Sequence, residues 1–109
     1  MSAKQQIETW FRDGLNNMSW NSVQNIVNEN FVYHGGDREF TFSQLQDRVN
    51  EYRQQYPELL FSIDFIVEHG DGVGVSWTAA TKTKSAKGVG VATFQNGKCV
   101  EFRGVMPNL

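Results

Sequence analysis

A chain of 109 residues, 39% apolar and 13% aromatic, has material for one compact domain with one core, spanning residues 1–109. Only 20% of residues are charged and the formal net charge is −2, which excludes a disordered polyelectrolyte and a generally basic nucleic-acid binder. The single cysteine, Cys99, excludes an internal disulfide and a cysteine-based zinc set. No apolar run approaches the roughly 18–20 residues of a membrane helix. The start, Met1 to Gln6, has no apolar signal core, so a cytoplasmic protein is expected.

The small net charge hides an asymmetry. Residues 1–69 carry five basic and ten acidic side chains, whereas residues 70–109 carry five basic and two acidic ones. The helical patterns lie in the acidic part, and the basic part reads almost wholly as strands.

Residues 3–17 predict an amphipathic helix, with Ile7, Trp10, Phe11, Leu15 and Met18 at helical spacing. Ser2 and Gln5 have the spacing of a capping box. A shorter helix is expected at 20–28, capped by Ser19 and buried through Val23, Ile26 and Val27. Phe31 to His34 reads as a short strand stopped by Gly35 and Gly36. A third helix is expected at 42–55, with Thr41 and Gln44 as its capping box. Leu45, Val49, Tyr52 and Tyr56 form its inner stripe, and Pro57 ends it.

Beyond Pro57 the period becomes twofold. Residues 59–69 alternate through Phe61, Ile63, Phe65 and Val67, and residues 73–84 through Val73, Val75, Trp77 and Ala79. Strands at 88–95 and 98–106 flank Asn96-Gly97, the strongest hairpin signal in the chain. Gly70, Gly72, Gly74, Gly88 and Gly90 have no phosphate-loop spacing and mark bends or bulges. Helices followed by antiparallel strands indicate an α+β fold.

Three stretches resemble the SnoaL-like, polyketide cyclase-like group of the NTF2-like (ketosteroid isomerase-like) superfamily. They are Trp10 to Asn17 with Phe31 to His34, Tyr56 to Thr78, and Phe94 to Glu101. The resemblance spans nearly the whole chain. It implies a cone, a cystatin-like roll with three N-terminal helices packed on a curved antiparallel sheet. It also implies an apolar pocket for a small hydrophobic or carbonyl-containing molecule, and a homodimer formed through the open sheet face. Enzymes of this fold do acid/base isomerisation, cyclisation or hydration without metal or cofactor. The alternative is a non-catalytic interaction or accessory domain with a vestigial cavity. No nucleic-acid or membrane partner is expected.

The family's acids are missing. Its first-helix tyrosine falls on Trp10, its basic aspartate on His34, its neutral aspartate near Gly90 and the cyclase aspartate near Gly104. His34 is then the candidate catalytic residue, as base or donor, and the main polar pocket contact; the competing reading is a strand-end histidine bonded to a carbonyl. Trp10, Tyr52, Trp77, Phe94 and Arg103 complete the candidate pocket. Trp10 and Tyr52 also read as ordinary core and half-buried residues, and Arg103 either holds an anion or pairs at the surface. Asp64 reads as solvated or interfacial before it reads as catalytic, and Asp37 as part of a charged loop over the mouth. Lys82, Lys84 and Lys87 form a positive hairpin tip with no aromatic residue to stack a base. Cys99 reads as a small strand residue and His69 as surface.

Overall fold

The structure, a computed structural model, describes residues 1–106 and residue 109. Three helices pack on a curved, mixed sheet of six strands. Helix α1 (Ala3–Thr9) starts at the Ser2–Gln5 capping box and runs on as a π-helical segment, Trp10–Leu15. The wider turn is closed by the Asn16 amide donating to the Phe11 carbonyl (3.0 Å). The helix then stops at Met18, whose φ of 54° reverses the chain. The Met18 amide donates to the Gly14 carbonyl, the bond of an αL cap, and the Ser19 amide reaches back to the Asp13 carbonyl.

The helix expected at 20–28 is cut short. Helix α2 covers only Trp20–Val23, a single 3₁₀ turn covers Gln24–Ile26, and Ser19 makes no side-chain cap. Val27 already belongs to strand β1 (Val27–Gly35). A short strand β2 (Arg38–Phe40) follows, in a stretch read from the sequence as a charged loop. Helix α3 (Phe42–Gln55) has the expected bounds and the expected Thr41–Gln44 box.

Strands β3 (Leu60–His69), β4 (Gly72–Ala80), β5 (Ser85–Gln95) and β6 (Lys98–Val105) form an antiparallel meander. Asn96 and Gly97 take φ of 53° and 79°, the two positive values a type I′ turn needs. The sheet order is β2-β1-β6-β5-β4-β3. It is mixed rather than wholly antiparallel, because β1 lies parallel to β6. That pairing needs a long crossover, which α3 and the meander supply.

A bulge at Asp64 resets the parity of β3. Phe61 is buried and Ile63 is opposite Trp77, but Phe65 pairs with Ser76 and stands on the outer face. The simple alternation read through Phe61, Ile63, Phe65 and Val67 therefore breaks midway.

Three side-chain ties fix the helices to the sheet. Asn16 Nδ2 donates to the Phe61 carbonyl (2.8 Å) and the Phe61 amide donates to Asn16 Oδ1 (2.7 Å), so a side chain extends the β3 ladder. The Arg53 guanidinium donates to the carbonyls of Leu59 and Leu15, joining α3 to the end of α1. Trp10, Phe31 and Phe42 meet edge-on or tilted with centroids 5.4 to 5.9 Å apart, and plug the space between α1, β1 and α3.

The strand glycines have a specific use. A Cβ on Gly88 would lie 2.4 Å from the Trp77 indole. One on Gly90 would lie 2.5 Å from the Phe102 ring and 2.8 Å from the Arg103 carbonyl. The rings lie flat on the inner surface of the sheet because the strand beneath them has no side chains there. Gly90→Ala is expected to lower unfolding free energy by roughly 1–3 kcal/mol, since one of the two contacts is rigid backbone. Chemical denaturation measures it; an unchanged midpoint would mean that the rings move aside freely.

Candidate functional site

The inner face of the sheet and the helices border a half-open cavity of about 310 Å³. Its wall is mostly aromatic and aliphatic, built from Trp10, Phe11 and Leu15 of the first helix, Leu45 and Val49 of α3, and Phe61, Trp77 and Phe102 of the sheet. The π-helical segment presents the consecutive residues Trp10 and Phe11 together with Leu15 to this space. The β1–β2 turn at Gly35 and Gly36, with Arg38, Arg48 and Met106, completes the lining. Trp77 Nε1 donates to Met106 Sδ (3.4 Å), which ties β4 to the residue after β6.

Of the residues singled out from the sequence, Trp10, Tyr52 and Trp77 line this cavity. His34, Phe94 and Arg103 are not among its lining residues. Phe94 is buried in the core. His34 follows the cavity-lining Tyr33 on β1, so it sits on the opposite face of the strand. There its Nδ1 lies 3.5 Å from Glu39 and its Nε2 lies 3.3 Å from Glu101. Arg103, opposite His34 in the β1–β6 register, donates from Nε to Glu101 Oε1 (2.9 Å). The pocket role expected for His34 and for Arg103 is therefore corrected to an outer-face cluster of two cationic-capable and two acidic groups. The Arg103 bond, with His34 nearby, holds the Glu101 carboxyl below the usual range.

Asp64 also belongs to the outer face. Thr78 Oγ1 donates to it (2.7 Å) and Lys87 lies 3.5 Å away, which together hold it below the ordinary carboxylate range. The lysine tip is tied down as well: Lys82 lies 3.8 Å from Glu58, and Lys84 sits over the Tyr56 ring at 5.8 Å. Cys99 is fully buried, and burial pushes its thiol up to about 12, so it is an inert core residue. Among the described residues no cluster of His, Cys, Asp and Glu could hold a metal ion.

Tyr33 is the site residue that the sequence reading missed. It stacks on Phe102 (centroids 5.6 Å, 21° between planes) and lines the cavity. A Cβ at residue 104 would stand 3.1 Å from its hydroxyl, so Gly104 leaves that hydroxyl uncovered. Among the described residues the hydroxyl has no hydrogen-bond partner. Burial, with Tyr52 nearby, raises its pKa above the ordinary phenol value. A signal for it existed: Phe31 and Tyr33 are the aromatic pair in the twofold pattern of this strand, and His34 is out of phase with them.

The sign of the Tyr33 shift gives a test. A phenol with a raised folded pKa stays neutral in the folded chain while the unfolded chain ionises, so its contribution is intact below pH ~10 and is lost above it. Ultraviolet difference titration should show a tyrosine transition above the ordinary phenol range, and Tyr33→Phe should remove that late transition. A titration curve with no late transition, unchanged by Tyr33→Phe apart from its amplitude, would contradict the burial of Tyr33.

Comparison with known proteins agrees with this geometry. The profile of the SnoaL-like polyketide cyclase family matches residues 5–106. A proposed isomerase of the SnoaL-like family from Agrobacterium tumefaciens has the same fold, at 17% identity and a TM-score of 0.79 over 95% of this chain and 96% of that one. IdmH, a proposed polyketide cyclase from Streptomyces antibioticus, superposes with a TM-score of 0.82 at 13% identity, covering 95% and 91%. A proposed ketosteroid isomerase from Kribbella flavida gives 0.76 at 17% identity, covering 97% and 78%. Comparison with curated proteins finds no match. The chain belongs to the SnoaL-like polyketide cyclase family.

Proposed function

We propose that the protein binds a small apolar, carbonyl-containing molecule in the cavity and holds its carbonyl oxygen on the Tyr33 hydroxyl. The observation that carries this reading is an unpartnered phenol donor in a wall made mostly of aromatic and aliphatic side chains. A buried donor gains most from an oxygen that becomes more negative, so this arrangement favours enolisation of the bound carbonyl. That is the chemistry of the isomerase and cyclase names carried by proteins of similar fold. No Asp or Glu stands among the described lining residues, so the wall supplies the electrophilic half of acid/base chemistry and no carboxylate base. A volume of about 310 Å³ is near the lower end of the ~300–1,000 Å³ range of ligand cavities, and suits one or two rings.

Trp10 and Trp77 in the wall provide the readout. The neutral bicyclic ketone 2-acetylnaphthalene should quench tryptophan fluorescence saturably. Tyr33→Phe should weaken it about fivefold, the scale of one net hydrogen bond, with the melting temperature retained. No saturable binding would sink the reading.

The outer sheet face supports a homodimer. Phe65, Val67, Val89 and Val91 are 65, 47, 59 and 51% exposed, on β3 and β5, the two strands that flank β4 in the sheet. Asp64, Thr78 and Lys87 lie on one side of this patch and Arg103, Glu101 and His34 on the other. An apolar centre with a mixed-charge rim is the anatomy of a self-complementary interface. Sedimentation velocity should find a dimer that Val89→Lys dissociates, with the fold intact because the residue is already exposed. A monomer before substitution would remove this interface.

A further inference from the structure

Two cations line the cavity, and neither is spent on a carboxylate. Arg38 comes from β2 and Arg48 from α3. Among the described residues neither forms an ion pair. Two acids in register nearby are engaged elsewhere, Glu39 against His34 and Glu101 against Arg103, on the far face of the sheet, and the sequence neighbours Asp37, Asp47 and Glu51 form no ion pair with either arginine among the described residues. Each guanidinium is instead laid over a ring of the cavity lining, Arg38 over Phe40 at 5.1 Å and Arg48 over Tyr52 at 5.9 Å. Stacking on a ring holds a guanidinium in place while leaving its N–H edge able to donate. The wall therefore has two cations, two phenols and no carboxylate, in a chain whose net charge is −2.

From this we infer that the ligand is an anion: an apolar aromatic body in the cavity with a carboxylate held by Arg38 and Arg48. The inference rests on the cavity reading above and narrows it to a substrate class. Three arguments support it. Planar guanidinium donors match the two oxygens of a carboxylate, and charge-assisted bonds of this kind are about twice as strong as neutral ones. An acidic protein that leaves two arginines unpaired in one cavity wall keeps their charge for something that arrives from outside. The rest of the lining offers rings and aliphatic groups, which suit the body of such a molecule and not a sugar or a nucleotide.

The experiment compares two bicyclic probes of similar size, 2-naphthoate and 2-acetylnaphthalene, by tryptophan quenching and calorimetry on the full chain. The carboxylate is expected to bind about tenfold more tightly than the ketone, the scale of one charge-assisted hydrogen bond. Arg38→Gln and Arg48→Gln should each cost 2-naphthoate about tenfold and change 2-acetylnaphthalene by less than about twofold. Both arginines are exposed, so the variants should fold, and circular dichroism melts verify it. Arg103→Gln, which removes a cation from the outer face, should leave both probes unchanged. If the ketone binds as well as the carboxylate and neither arginine matters, the anion assignment fails and the cavity reading survives. If neither probe binds, both fail. If Arg103→Gln weakens 2-naphthoate as much as the other two variants, the attraction is diffuse charge and the assignment fails.

Discussion

The structure depends on aromatic rings lying flat against strand glycines. Trp77 reaches over Gly88, and Phe102 over Gly90, each at a distance that no Cβ would permit. Gly104 adjoins Phe102, the Tyr33 hydroxyl and Trp77 at 3.0 to 3.4 Å from where its Cβ would be. A ring that stands upright on a sheet fills the space above it; a ring that lies down leaves that space open. The same contacts bury apolar area and hollow the domain. They also explain why the cavity wall is so rich in aromatic surface in so small a chain. The long crossover that makes β1 parallel to β6 then brings Tyr33 beside Phe102, and places the phenol among these rings.

The two faces of the sheet separate the polar chemistry. Outside, His34, Glu39, Glu101 and Arg103 satisfy one another, as do Asp64, Thr78 and Lys87. Inside, the described wall carries phenols and guanidiniums without a carboxylate. Placing the acids on the outer face leaves the cavity as a site that donates hydrogen bonds and attracts negative charge. An enolate oxygen and a carboxylate are both served by such a site, one by Tyr33 and the other by the arginines at the wall.

Much of this was legible in the residues. The Ser2–Gln5 and Thr41–Gln44 boxes, the Asn96-Gly97 turn and the helix at 42–55 are local chemistry, and local chemistry can be read from spacing. Trp10, Tyr52 and Trp77 sit on apolar stripes that face the interior, and the cavity adjoins that interior. The misses are failures of phase. His34 ends its strand before two glycines, where its position suggested a pocket, but side chains alternate and Tyr33 had already taken the inner face. The bulge at Asp64 moved Phe65 outward in the same way, because one extra residue reverses every later side chain. Strand β2 is three residues long and carries charges, so it lacks a strand pattern of its own and exists by pairing with β1. Arg48 stands one helical turn before Tyr52, a spacing that puts both on one face, but an arginine on an amphipathic helix ordinarily reads as solvent-facing. The glycines of β5 were recognised as special without their reason, since the rings above them come from other strands.

The most direct test of the central claim is a crystal structure of the protein grown with 2-naphthoate. The account predicts the naphthalene body among Trp10, Trp77 and Phe102, with its carboxylate on Arg38 and Arg48. A cavity closed by rotated rings, with the compound absent or lying on the outer sheet face, would contradict it.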